Sequence, residues 1–232
     1  MKTKIFCDSA NFQTIKKLNS NPLVDGFTTN PSLMRLAGAR NYKKYSLQIL
    51  KICNKKPISF EVFADEPEEM LKQAYEINSW GKNVYVKIPV INSKGIFTGS
   101  VIKELSDKGI KLNITAVYTF AQTQKVYKKL NKNTKSIISI FAGRMADKGK
   151  DPIPIFKKSI SLTKKNSKIE ILWASTREAY NFTQAKQINC NIITMPPKVI
   201  NQINQFGKSF KSMTLDTVKG FLSDSKKSRF SL

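Results

Sequence analysis

Apolar residues along this chain fall into two alternating kinds of run. Short stretches rich in Ile, Val and Phe recur between longer stretches whose apolar residues return every three or four positions. The first kind reads as strands over 4–8, 57–63, 83–90, 111–116, 136–141, 169–174 and 191–195, with a further strand that ends in Gly26-Phe27-Thr28-Thr29-Asn30-Pro31-Ser32. The second kind reads as helices over 12–18, 42–53, 98–108, 120–130 and 155–163. Another helix opens at Asp65-Glu66-Pro67-Glu68, with a cap acid, an early proline and acids in its first turn, and runs to Trp80-Gly81. A last connecting helix opens at Ser175-Thr176-Arg177, and Pro196-Pro197 ends the final strand.

Eight short strands alternating with helices, with no composition break between them, predict a parallel α/β architecture. The number eight favours a single (β/α)8 TIM barrel spanning 1–232. The alternative is an open doubly wound sheet, which ordinarily carries a glycine-rich phosphate turn after its first strand. Here Asp8 follows that strand and no G-x-G-x-x-G occurs anywhere. The tail, about 214–232, spaces Leu215, Val218, Phe221 and Leu222 as one face of a helix, which would either close the chain's own barrel or pack on a neighbour.

Composition narrows the chemistry. The chain has 232 residues, 41% hydrophobic and 24% charged, which are the proportions of a globular protein, and its apolar runs are strand-length. Asp8 interrupts the N-terminus too early for a signal peptide, so the cytoplasm is expected. Cys7, Cys53 and Cys190 form no metal or disulfide pattern, and the absence of histidine removes His-based triads and His-zinc sites. No cofactor and no metal are therefore expected, and the chemistry is left to Lys, Asp, Glu, Thr and Tyr. A net charge of +24 invites nucleic acid or an anionic membrane. The lysines are dispersed, however, and the arginines are only Arg35, Arg40, Arg144, Arg177 and Arg229, so neither a specific nucleic-acid partner nor a membrane is expected.

The strand 83–90 holds one residue that needs explaining. Val84, Val86 and Ile88 share one face, Tyr85 and Lys87 the other, and an ammonium there must be paired, solvated or neutral. A neutral lysine is a nucleophile able to form a Schiff base with a carbonyl; the plainer reading is a lysine snorkelling at the strand rim. In a barrel, side chains at the carboxyl ends of the strands converge on one mouth. The polar residues there are Asp8, Thr28, Asn30, Glu61, Lys87, Asn113, Thr115, Arg144, Ser175 and Arg177. Each has an ordinary explanation alone, as a cap, a surface pair or a propensity choice, but together they describe a site.

Five motifs carry a family resemblance: Asp8 ending the first strand, Phe27-Thr28-Thr29-Asn30-Pro31-Ser32, Val86-Lys87-Ile88-Pro89, Thr115-Ala116-Val117-Tyr118 and Ile193-Thr194-Met195-Pro196. On these the chain resembles the small transaldolases, a family that includes the fructose-6-phosphate aldolases, over essentially its whole length. The resemblance implies that Lys87 is the Schiff-base lysine and Asp8 the general acid/base, and that Glu61 with Thr115 holds the catalytic water. It further implies that Thr28, Asn30, Asn113 and Ser175 bind substrate hydroxyls, that Arg144 and Arg177 bind a sugar phosphate, and that the protein assembles into rings of five, often stacked into ten.

Glu61, Phe141 and Asn113 are similar to the transaldolase branch, whereas plain aldolases of the family have glutamine and tyrosine at the first two places. Transfer of a dihydroxyacetone unit between sugar phosphates of the pentose phosphate pathway is thus expected. The alternatives are an aldolase releasing free dihydroxyacetone, a relative acting on an unusual sugar, and, more remotely, a nucleic-acid-binding barrel. Thr176 and the loop 145–151 depart from the family pattern.

Overall fold

A computed structural model of the chain describes residues 2–230. In order, its elements are β1 (Lys4–Asp8), α1 (Phe12–Asn19), β2 (Gly26–Thr28), α2 (Pro31–Leu36), α3 (Tyr42–Ile52), β3 (Ile58–Glu61), α4 (Pro67–Ser79), β4 (Val84–Pro89) and α5 (Gly99–Asp107). There follow β5 (Leu112–Val117), α6 (Phe120–Lys129), β6 (Ser136–Phe141), α7 (Ala142–Ala146), α8 (Ile153–Thr163), β7 (Ile169–Ala174), α9 (Tyr180–Gln187), β8 (Ile192–Met195), α10 (Pro197–Ile203) and α11 (Phe210–Ser228). Each strand pairs in parallel with the next, and β8 returns to β1, closing a (β/α)8 barrel.

Burial on both faces explains why the strands read as nearly continuous apolar runs. Outward-facing residues such as Val86, Ile88, Ile114 and Ile138 join helix residues including Met70, Ile102 and Val126 in one large core, where Phe156 of α8 stacks on Trp173 of β7 at 4.6 Å. Inside the barrel, Phe6, Tyr85, Ile137, Leu172 and Ile192 form an apolar plug. A Cβ at Gly26 would lie 2.7 Å from the Phe6 ring, so a bare backbone there makes room for the plug. Because inward positions recur every second residue, the layer above the plug holds Asp8, Lys87, Ser139 and Thr194. The site layer therefore rests on a dry floor.

Several local expectations are corrected. Glu66 occupies the N-cap of α4 without a side-chain cap bond, and Asp65 instead accepts from the Ser93 N–H and hydroxyl, each at 2.7 Å, tying down the loop after β4. Ser175-Thr176-Arg177 does not open a helix: Ser175 sits at φ 62 in the left-handed region, and α9 begins only at Tyr180. β8 ends at Met195, just ahead of Pro196-Pro197 as expected, and the short helices α2 and α10, which were not expected, start at Pro31 and Pro197 with proline as the first helical residue. The tail helix α11 begins at Phe210, earlier than expected, and buries none of its residues; Phe210 is 88% and Phe221 70% exposed. It does not close its own barrel. Among the described residues no helix is long and apolar enough to cross a membrane.

Two irregularities lie at the mouth. The β5–β6 register shifts between Ile114 and Val117, where Ala116 takes φ 59, so the chain bulges directly after Thr115. Gly143 in α7 is wedged against the loop after β7: a Cβ there would stand 1.7 Å from the Ser175 carbonyl oxygen. Gly143→Ala is thus expected to lower stability in urea unfolding by about 1–3 kcal/mol through overpacking. An unchanged midpoint would mean that the Ser175 loop yields freely.

Candidate active site

The mouth at the carboxyl ends of the strands encloses a cavity of about 200 Å³ with Lys87 in its wall. Lys87 is only 6% exposed. The parallel register sets Glu61 of β3 directly beside it on one side and Asn113 of β5 on the other. The Lys87 Nζ lies 3.1 Å from Glu61 Oε2 and donates to the Thr29 carbonyl at 3.1 Å. Tyr42 fixes the end of β3 by donating to the Glu61 carbonyl while accepting from the Glu61 N–H, both at 3.0 Å. A buried ammonium without such partners would be costly; here it has a carboxylate and a carbonyl.

Asp8 and Thr28 are likewise register neighbours, on β1 and β2. The Thr28 hydroxyl donates to Asp8 Oδ1 at 2.7 Å, and since its one hydrogen is used there, the Thr194 hydroxyl 2.5 Å away must donate to it. The Thr194 carbonyl in turn accepts from the Thr176 hydroxyl at 2.7 Å. A directed pair of hydroxyls, Thr194 to Thr28, thus ends on Asp8, while Thr176 anchors the Thr194 backbone. Burial raises the Asp8 carboxyl above its usual range, against the opposing pull of the Lys87 charge and the Thr28 hydrogen bond.

The remaining expected residues divide into those that line the cavity and those that do not. Thr28, Asn30, Thr115, Phe141, Arg144, Ser175 and Arg177 line it together with Asp8 and Lys87. Asn30 is committed as well to capping α2, accepting from the Leu33 N–H at 2.9 Å. The Thr115 hydroxyl is buried and makes no hydrogen bond to the protein, an acceptor and donor directed at nothing but the cavity. Asn113 does not line it: the side chain donates to Ser59 Oγ at 3.0 Å and accepts from Ser139 Oγ at 2.6 Å, behind the wall. Glu61 also is no part of the lining and meets the cavity through Lys87.

At the rim, the Arg144 guanidinium stands 5.3 Å from the centre of the Phe141 ring, which packs at 5.8 Å on Tyr118. Arg177 is engaged by a residue that sequence reasoning did not single out. Asp147, in the loop after α7, accepts from Arg177 Nε at 3.0 and 3.1 Å and from Nη2 at 2.6 Å. These hydrogen bonds hold the Asp147 carboxyl below the usual range. Thr194, Thr176 and Ser139 were also missed as site residues; inward parity at the strand ends would have found Thr194 and Ser139.

The site can do three things chemically. It offers an amine beside a carboxylate that can take its proton, a second carboxyl poised nearer neutrality, and two guanidinium groups for an anion at the rim. The three cysteines take no part: Cys7, Cys53 and Cys190 are buried, which pushes each thiol up to about 12.

Comparison with known proteins places these residues in context. The family model described as "Transaldolase/Fructose-6-phosphate aldolase" matches residues 5–232. The chain is 36% identical over 203 residues to a probable transaldolase of Dehalococcoides mccartyi, covering 87% of this chain and 90% of that protein. It is 35% identical over 204 residues to a probable transaldolase of Nitrosopumilus maritimus, covering 87% of each. Among solved structures, KGPDC from Streptococcus mutans superimposes with a TM-score of 0.57 at 8% identity over 84% of this chain and 88% of that one, a likeness of fold alone.

The raised carboxyl of Asp8 has a thermodynamic consequence. Ionising it is harder in the folded chain than in the unfolded one, so stability present below the ordinary carboxylate pKa of about 3.9 is lost as pH rises through the folded value. Asp8→Asn should therefore melt higher than the parent at pH 8, with the gap closing below about pH 4. A variant that melts lower at pH 8 would show that the attraction to Lys87 outweighs burial.

Proposed function

We propose that this chain, which belongs to the transaldolase/fructose-6-phosphate aldolase family, transfers a dihydroxyacetone unit from a ketose phosphate to an aldose phosphate through an imine on Lys87. The donor would be fructose 6-phosphate or sedoheptulose 7-phosphate. The observation that carries the reading is the buried Lys87 amine, 3.1 Å from Glu61 and under the charge of Asp8.

In this reading Glu61 takes a proton from Lys87, and the free amine attacks the C2 carbonyl of the ketose. The carbinolamine loses water, oriented by Glu61 and by the otherwise unpartnered Thr115 hydroxyl, to give the protonated imine. Asp8 removes the C4 hydroxyl proton; the C3–C4 pair flows into the imine, and the aldehyde fragment departs, leaving an enamine on Lys87. The enamine carbon then attacks the acceptor aldehyde, Asp8 returns its proton to the new hydroxyl, and hydrolysis frees the ketose product. A carboxyl raised toward neutrality suits a group that must both take and give a proton.

Thr28, Asn30 and Ser175 would hold sugar hydroxyls, and Arg144 with Arg177 the phosphate, while Asn113 acts from behind by fixing Ser59 and Ser139. Phe141 distinguishes transfer from simple cleavage. It offers no proton to the enamine carbon, so the three-carbon unit waits for an aldehyde instead of being released.

The same reading extends to assembly. Phe210, Leu215, Val218, Phe221 and Leu222 of α11 are all exposed, and we assign them to contact with a second copy of the chain in a ring of five or a stacked ten.

The mechanism is tested by borohydride reduction with fructose 6-phosphate and mass mapping of the label, expected on Lys87. In a coupled assay for glyceraldehyde 3-phosphate, the parent should turn over appreciably only when erythrose 4-phosphate is present, and Phe141→Tyr should raise acceptor-independent release of dihydroxyacetone. Equal rates with and without acceptor would make the chain an aldolase. For assembly, light scattering should find a multimer that dissociates when Phe221→Glu and Leu222→Glu are combined; a monomeric parent would sink that part of the reading.

A further inference from the structure

The opposite end of the barrel, where the strands begin, holds a second cavity of about 480 Å³. Its wall is built from lysines set just ahead of successive strands: Lys55 before β3, Lys82 before β4, Lys111 before β5, Lys135 before β6 and Lys168 before β7, with Lys4 opening β1. These are not scattered loop residues. The carbonyl of Lys111 accepts from the Val86 N–H and that of Lys168 from the Ser136 N–H, each at 2.8 Å, so their backbones are part of the barrel ladder.

One carboxylate lines the cavity, Glu170, and Lys4 takes both of its oxygens at 2.9 and 3.1 Å. That leaves five ammonium groups, none of which forms an ion pair among the described residues. Elsewhere on the surface lysines find acids, as in Lys43–Glu76, Lys94–Glu66 and Lys103–Asp107. Here Lys168 reaches the Asn133 carbonyl, and Lys111 the Lys82 carbonyl and the face of the Tyr85 ring at 5.6 Å. Burial, followed by repulsion from Lys135, lowers the pKa of Lys111. On the floor, burial pushes the Tyr85 hydroxyl up to about 12, keeping it a neutral donor.

Like charges converging on one concavity repel in the free protein and focus a positive potential into it. Lysine is a point charge with rotatable donors, suited to clustered tetrahedral oxygens, whereas planar carboxylates are better held by arginine forks, and no arginine lines this cavity. The space is that of a small-molecule site and not of an extended groove. We propose that the N-terminal end of the barrel binds a small condensed phosphate, a triphosphate chain either free or carried on a nucleoside.

Isothermal titration of the full chain at low salt with tripolyphosphate, ATP and duplex DNA tests this. Two variants are compared: K55Q/K82Q/K135Q, whose side chains make no hydrogen bond or ion pair among the described residues, and R144Q/R177Q at the other mouth. Tripolyphosphate should bind the parent, weaken at least about tenfold in the lysine variant, and persist in the arginine variant. Equal affinity for ATP assigns the site to the phosphate chain alone, and tighter ATP binding to the nucleotide; either supports the proposal. Without ligand the lysine variant should melt higher than the parent, and tripolyphosphate should raise the melting temperature of the parent more. Binding that survives the lysine variant or vanishes in the arginine variant overturns the proposal. So does DNA that binds more tightly than tripolyphosphate, or a lysine variant that melts lower without ligand.

Discussion

A lysine buried inside a closed barrel, with an apolar plug below it, needs a counter-charge close at hand, and Lys87 finds its nearest one on a flanking strand. That constraint organises the mouth of this protein. Glu61 is the residue directly across from Lys87 in the register, and Tyr42 pins the end of β3 that presents it. Asp8 and Thr28 repeat the arrangement on the next pair of strands. The register that closes the barrel thus also sets the polar contacts of the site, and shifting β1 or β3 by a single residue would turn that strand's carboxylate out of it.

The two ends of the barrel answer the same lysine-rich sequence differently. At the carboxyl ends Lys87 is buried, paired with Glu61 and hydrogen-bonded to the Thr29 carbonyl. At the amino ends lysines repeat around the rim with one acid among them. The apolar plug of Phe6, Tyr85, Ile137, Leu172 and Ile192 separates the two, so packed side chains and not solvent lie between the mouths.

Much of this was legible in the sequence because strands and inward parity follow from local patterning. The bounds of β6 and β7 match the expected ones, and Asp8, Lys87, Thr115 and Arg144 fall where the strand-end rule puts them. What escaped depends on neighbours. Asn113 has the right parity, yet Ser59 and Ser139 draw its amide behind the wall. The left-handed turn at Ser175 follows from the close approach of Gly143, two strands' ends meeting, which no local pattern encodes. The pairing of Asp147 with Arg177 joins loops thirty positions apart. For α11 the apolar stripe was visible, but that it lies off its own barrel depends on the surfaces around it and not on its own pattern.

With the Asp147 carboxylate already on Arg177, the anion capture proposed for the rim would be an exchange and not an addition. A monoanionic visitor replaces one carboxylate by its equal and leaves the balance nearly where it was. A phosphate dianion brings a second charge and a third oxygen, which Arg144 across the mouth can meet. Under the proposed function the clamp would therefore set a threshold of charge, with Asp147 as the competitor that an arriving anion has to displace.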